Sequence, residues 1–169
     1  MTHKTQELYW HAIQNLKIIA EGNGFKVSPT LIMCDFESAL KGTCKKVFPE
    51  VKIAGCNFHF LKALYNKVKK LGLSNKNNKK KAKALISYLQ IISHCPKEDQ
   101  NGLFEEIKIF ANRNDKFKSF LSYFKKNWLT NEFIDSLFDV MERQEDIKFI
   151  RTNNPCEVFH NFLGKLESN

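Results

Sequence analysis

No stretch of the chain approaches the ~18 uninterrupted apolar residues of a membrane-crossing helix, so no such segment is expected. The first residues, Met1 to Glu7, contain no apolar core of the kind a secretory signal needs. A soluble protein is the expectation. The 5 cysteines are odd in number and not spaced as a disulfide framework. That argues against a disulfide-stapled secreted domain and for a reducing compartment, cytosol or nucleus. No internal repeat is visible. Acid is missing from one long stretch: between Leu61 and Lys83 there is neither Asp nor Glu.

What fills that stretch is lysine. Lys62, Lys67, Lys69, Lys70, Lys79, Lys80 and Lys81 all lie in it, within a chain of net charge +9 and pI near 9.3. Such a balance points to an anionic partner, with nucleic acid first, because lysines displace the counterions condensed on a phosphate backbone. The same lysines also fit a solvated helix face in a generally Lys-rich chain. Lys79-Lys80-Lys81 further suits a nuclear import signal, which makes the nucleus the expected location. Tyr65 is the one aromatic in the run, so stacking on bases is not indicated.

The 169 residues suit one domain of ordinary size or a piece of a larger one, and 15 phenylalanines supply ample core. Thr5 to Ala20 has apolar residues at helical spacing, halted by Gly22 and Gly24. The run Leu31-Ile32-Met33-Cys34 lacks polar alternation and predicts a strand buried on both faces. It ends in Asp35, which would occupy the strand's carboxyl end, where open α/β sheets place their ligand crevices. Phe36, Ala39, Leu40, Cys44 and Val47 predict a helix ended by Pro49, and Val51 to Ala54 a second strand. Strand, helix and strand make a short βαβ-like unit with its strands parallel.

From Phe58 onward the pattern is helical throughout. Leu61, Leu64, Tyr65, Val68 and Leu71 form a stripe closed by Gly72. Ala82, Leu85, Ile86, Leu89 and Ile92 mark the next helix, and Leu103, Phe104, Ile107 and Phe110 the one after Pro96. Phe117, Phe120, Leu121 and Phe124 follow, then Trp128, then a helix with Phe133, Ile134, Leu137, Phe138 and Met141. A last helix opens with Asn154 as cap and Pro155 in its first turn. The fold class expected is α/β and predominantly helical, with an all-α insertion over 58–150 dividing a core made of 1–57 and 151–169.

Each residue able to carry chemistry also has a plain reading. Asp35 could cap the helix after it. Glu157, three residues after Asn154, resembles a capping box. Cys56 and His59 form a C-x2-H pair that could hold zinc, but a tetrahedral structural site needs four ligands. Cys156 with His160, or His94 with Cys95, could supply the others, giving a helical zinc-stabilised interaction module as the alternative function.

Taken in order, Leu31-Ile32-Met33-Cys34-Asp35-Phe36-Glu37-Ser38-Ala39-Leu40, Val47-Phe48-Pro49, Gly55-Cys56-Asn57-Phe58-His59-Phe60, Trp128-Leu129 and Arg151-Thr152-Asn153-Asn154-Pro155-Cys156-Glu157-Val158-Phe159-His160 resemble the Mutator-like element (MULE) transposases. The resemblance implies a ribonuclease-H-like fold with a helical insertion, DNA as partner, and strand cleavage and transfer by an Asp/Asp/Glu set holding Mg²⁺ or Mn²⁺. Two divalent ions about 4 Å apart would activate the attacking hydroxyl and stabilise the leaving oxygen; hard cations of this kind take carboxylate oxygens. Asp35 matches the family's second Asp and Glu157 its Glu. Cys56 and His59 match the C-x2-H motif near the site, and His160 the His after the Glu, with Asn154 in support. The family's first Asp has no counterpart here, since Glu7 and Glu21 are the sole acids before Asp35. The expectation is therefore a partial ribonuclease-H-like core with two remaining strands. It would be a transposase fragment or remnant, inactive alone, that keeps DNA affinity or pairs with other copies of itself.

Overall fold

The computed structural model describes residues 5–111 and 114–130. Helix α1 (Gln6–Gly22) begins where Thr5 Oγ1 accepts the Leu8 N–H at 3.2 Å. It ends at Asn23, whose side-chain amide donates to the Ile19 carbonyl at 2.7 Å. Strand β1 (Leu31–Cys34), helix α2 (Ser38–Val47) and strand β2 (Lys52–Gly55) follow. The strands pair in parallel, Leu31 opposite Lys52 through Cys34 opposite Gly55, with α2 as the crossover. The βαβ-like unit expected from the spacing is present.

Helix α1 lies on α2 because the contact face is small. Thr43 Oγ1 bridges the carbonyls of Gln6 (3.1 Å) and Ala39 (2.9 Å). At Gly42 a Cβ would stand only 3.0 Å from the Gln6 side-chain nitrogen.

Helices α3 (Asn57–Lys70), α4 (Lys79–Ile92), α5 (Lys97–Ala111) and α6 (Asp115–Phe124) then build the helical block, and α6 runs into a π-helical turn, Lys125–Leu129. Their buried faces form one core from Phe60 to Trp128. Aromatic rings centre it: Phe60 meets Trp128 edge-on at 4.8 Å, and Phe104 stacks on Phe124 at 5.9 Å. Such geometries are the ones ring quadrupoles favour. Gly72, after α3, has φ +67°, the left-handed value its place in the sequence anticipated.

The architecture is thus α/β and predominantly helical. Several local expectations are corrected. Leu31, Ile32 and Met33 are half-buried rather than enclosed on both faces, since each strand has one neighbour among the described residues. Helix α2 starts at Ser38, so Phe36 is not on its apolar face. Instead the Phe36 ring meets Trp128 edge-on at 4.8 Å and ties the βαβ unit to the helical block. On α3 the core-facing series is Phe60, Leu64 and Val68, whereas Tyr65 is 49% exposed. Phe110, read as core, is likewise 49% exposed. The expected helix around Phe133–Met141 lies outside the described residues. No described helix is long and apolar enough to cross a membrane.

Candidate functional site

Asp35 and Cys56 each follow the last residue of a strand, and the two strands are hydrogen-bonded neighbours running the same way. The Cys56 N–H extends the ladder to the Cys34 carbonyl at 2.9 Å. Asp35, Cys56 and Asn57 therefore share the carboxyl end of the sheet, the edge where the sequence placed a crevice.

Asp35 is not the cap of α2. Its Oδ1 accepts the Glu37 N–H at 3.1 Å, turning the backbone two residues on, and Glu37 occupies the cap position. That leaves the second carboxylate oxygen of Asp35 outside this turn. Glu37 is held in turn from α1, where the Tyr9 hydroxyl donates to Glu37 Oε2 at 3.0 Å. Neither Tyr9 nor Glu37 was singled out from the sequence. The signal for Glu37 was its i+2 spacing from Asp35; for Tyr9 there was none, since 28 residues separate the pair.

Desolvation, the Glu37 hydrogen bond and the negative field of Glu37 and Asp35 push the Tyr9 phenol up to about 12. Tyr9 therefore remains a donor at neutral pH. Its folded-state pKa lies above the unfolded value near 10. The stabilisation is complete below pH ~10 and is lost as pH rises through about 12. An ultraviolet titration should show a tyrosine step near pH 12 in the folded protein that Tyr9→Phe removes.

Behind Asp35 lie three buried thiols, Cys34, Cys44 and Cys56, none of them in a disulfide among the described residues. Burial first, then Cys44 and Asp35, push the Cys34 thiol up to about 12, although Lys41 pulls the other way. Burial and the raised pKa keep the Cys34 thiol protonated at neutral pH, where it packs against its neighbours.

Of the residues named for a zinc site, Cys56 and His59 lie at the start of α3. Cys56 is fully buried at the start of α3, and His59, half-buried one turn on, meets the Phe58 ring edge-on at 5.5 Å. Among the described residues no three His, Cys, Asp or Glu side chains gather as a metal site. His94 and Cys95 are not drawn to this pair: His94 Nδ1 bonds the Gln90 carbonyl at 2.7 Å and the Cys95 thiol donates to Ile91 at 3.2 Å, finishing α4. Asn154, Cys156, Glu157 and His160 lie outside the described residues, as does any meeting of Glu157 with Asp35. Two polar atoms near the junction, Asn57 Oδ1 and Trp128 Nε1, are buried with no hydrogen-bond partner among the described residues.

The lysine run divides in two. Lys62, Lys69, Lys70, Lys79 and Lys80 are exposed. Lys67 and Lys81 are half-buried, with their ammonium groups over rings from other helices. Lys67 sits 4.9 Å from the Tyr123 centroid, and Lys81 5.2 Å from Phe110 and 5.3 Å from Phe117. Those contacts are cation–π in kind and hold the two side chains against the core. Lys79, Lys80 and Lys81 occupy the first turn of α4, which holds no acid. Cations there oppose the positive helix end, at about 0.3–1 kcal/mol each. Lys79→Glu and Lys80→Glu should therefore raise the melting temperature. If these lysines grip phosphate, the same variants will bind DNA less well, a divergence that a merely solvated face would not produce.

A parallel βαβ unit with a carboxylate at the end of β1, joined to a helical block, defines an α/β, predominantly helical protein. Residues 1–63 match the family model of the MULE transposase domain. The match covers α1, the βαβ unit and the first half of α3, Cys56 and His59 included. Comparison with curated proteins and with solved structures gave no match.

Proposed function

We propose that the chain is a fragment or remnant of a MULE-type DNA transposase, its core a partial ribonuclease-H-like fold interrupted by the helical block from residue 58. The observation that carries this is Asp35 at the carboxyl end of a parallel strand, inside the segment that matches the transposase domain. In this reading Asp35 and Glu157 are two carboxylates of an Asp/Asp/Glu set. They would hold Mg²⁺ or Mn²⁺, and the ions would polarise the phosphodiester and activate the attacking hydroxyl. The donor chemistry of Asp35 fits a hard cation: one oxygen is fixed by the Glu37 N–H, which orients the other. Tyr9, through Glu37, keeps that turn in place. DNA is the partner, gripped by the exposed lysines of α3 and α4, and the nucleus is the compartment in which it would be met.

With two of three carboxylates, these 169 residues bind a cation weakly and do not cleave. Incubation with terminal-inverted-repeat DNA and Mn²⁺ should leave the strands intact. Nicking by the parent protein that Asp35→Asn abolishes would overturn the inactivity. Stoichiometric zinc in the purified protein would instead favour the interaction module built on Cys56 and His59.

A further inference from the structure

A second concentration of positive charge, well separated in sequence from the acid-free run, surrounds a cavity of about 340 Å³ between α5 and α6. Its wall on one side is Lys108; on the other are Lys118, Ser122 and Lys125, spaced i, i+4 and i+7 so that one helix face presents all three. The floor is apolar, made by Phe104 and Leu121, both buried. Lys125 stands 5.9 Å from the Phe104 centroid, over that floor.

The lysines are not neutralised where they stand. Lys108 and Lys125 share one carboxylate, Glu105, at 2.8 and 3.9 Å, and Lys118 takes Asp115 at 3.1 Å. Three ammonium groups thus face two carboxylates. All of these groups are more than half exposed, so the pairs hold weakly and exchange readily for a better anion. Both lysines at Glu105 pull its carboxyl below the usual range, the Lys108 hydrogen bond most. The backbone adds a second sign. Lys125 opens the π-helical turn, a rare distortion that concentrates at functional positions and that re-aims the side chains from there on.

We propose that this cavity is a phosphate-binding site, with Lys108, Lys118 and Lys125 supplying the charge and the Ser122 hydroxyl a directional donor. A phosphate offers more acceptor oxygens and more charge than either carboxylate it would displace. Two sources share that chemistry, a free phosphate and a nucleic-acid phosphodiester.

Backbone amide NMR of the whole chain, titrated with inorganic phosphate and separately with a duplex oligonucleotide, distinguishes them. Saturable shifts centred on Lys118, Ser122 and Lys125 are expected, together with at least a tenfold loss of affinity in Lys108→Gln/Lys118→Gln/Lys125→Gln. Saturation by the duplex alone assigns the site to nucleic acid, and saturation by phosphate alone assigns it to a small phosphate. Absent shifts at these residues, or a triple variant that binds both probes like the parent, would overturn the proposal. A Lys69→Gln/Lys70→Gln/Lys79→Gln/Lys80→Gln variant keeps the two readings apart. Loss of duplex binding there, with no loss of either probe in the cavity variant, sinks the cavity and leaves the DNA partner standing.

Discussion

Phe60→Ala should destabilise the protein by about 3–5 kcal/mol, the largest effect of any single substitution considered. Phe60 is fully buried, on the first turn of the helix that follows β2. Its ring meets Trp128 at 4.8 Å and Phe124 at 6.3 Å, and Trp128 in turn meets Phe36 at 4.8 Å. One side chain therefore joins the start of the helical block to its end, and through Trp128 to the turn beside Asp35. Truncation removes the transfer free energy of a whole ring and leaves a cavity among aromatic neighbours that cannot close on it. Against a typical total of about 5–15 kcal/mol, that loss is enough to populate the unfolded state. Urea unfolding followed by far-ultraviolet circular dichroism checks it: the midpoint should fall sharply with little change in slope. A shift worth less than about 1 kcal/mol would mean that Phe60 is not the centre of the core.

Replacing the five exposed lysines Lys62, Lys69, Lys70, Lys79 and Lys80 by glutamine should reduce affinity for duplex DNA by about 10²–10³ at low salt. Each phosphate contact contributes about 0.9 to the slope of log affinity against log salt, so five lost contacts flatten it by between ~4 and ~5. Lys67 and Lys81 are left out because their ammonium groups are already held over Tyr123, Phe110 and Phe117. Their removal should cost stability as well as affinity, since their stems cover apolar surface. Fluorescence anisotropy at several salt concentrations measures both quantities. Parent binding that is indifferent to salt would end the phosphate-contact reading.

The periodicity of the sequence located most of the elements. Ala82, Leu85, Ile86, Leu89 and Ile92 were read as one face and all are buried; Phe117, Phe120, Leu121 and Phe124 likewise. These helices are legible because a single wide apolar stripe has one way to face a core. Where two neighbouring positions are both apolar, periodicity cannot choose between them. The spacing therefore points Tyr65 and Phe110 at the core, although both lie half in solvent, and does not mark Phe60 as its centre. The start of α2 failed for a different reason. Asp35 takes the Glu37 N–H in a tight turn, which delays the helix to Ser38 and frees Phe36 to pack on Trp128.

By itself the sequence determined the element types, the parallel βαβ order, the carboxylate at the end of β1 and the positive charge of the chain. These follow from local spacing and composition, which need no partner to be read. Only the tertiary structure decided which groups meet across long separations: Tyr9 with Glu37, Phe36 with Trp128, Lys67 with Tyr123, and Lys108 with Lys118 and Lys125 around one cavity. Such meetings depend on how helices pack against one another, and helical spacing fixes which face is apolar without fixing what that face will touch.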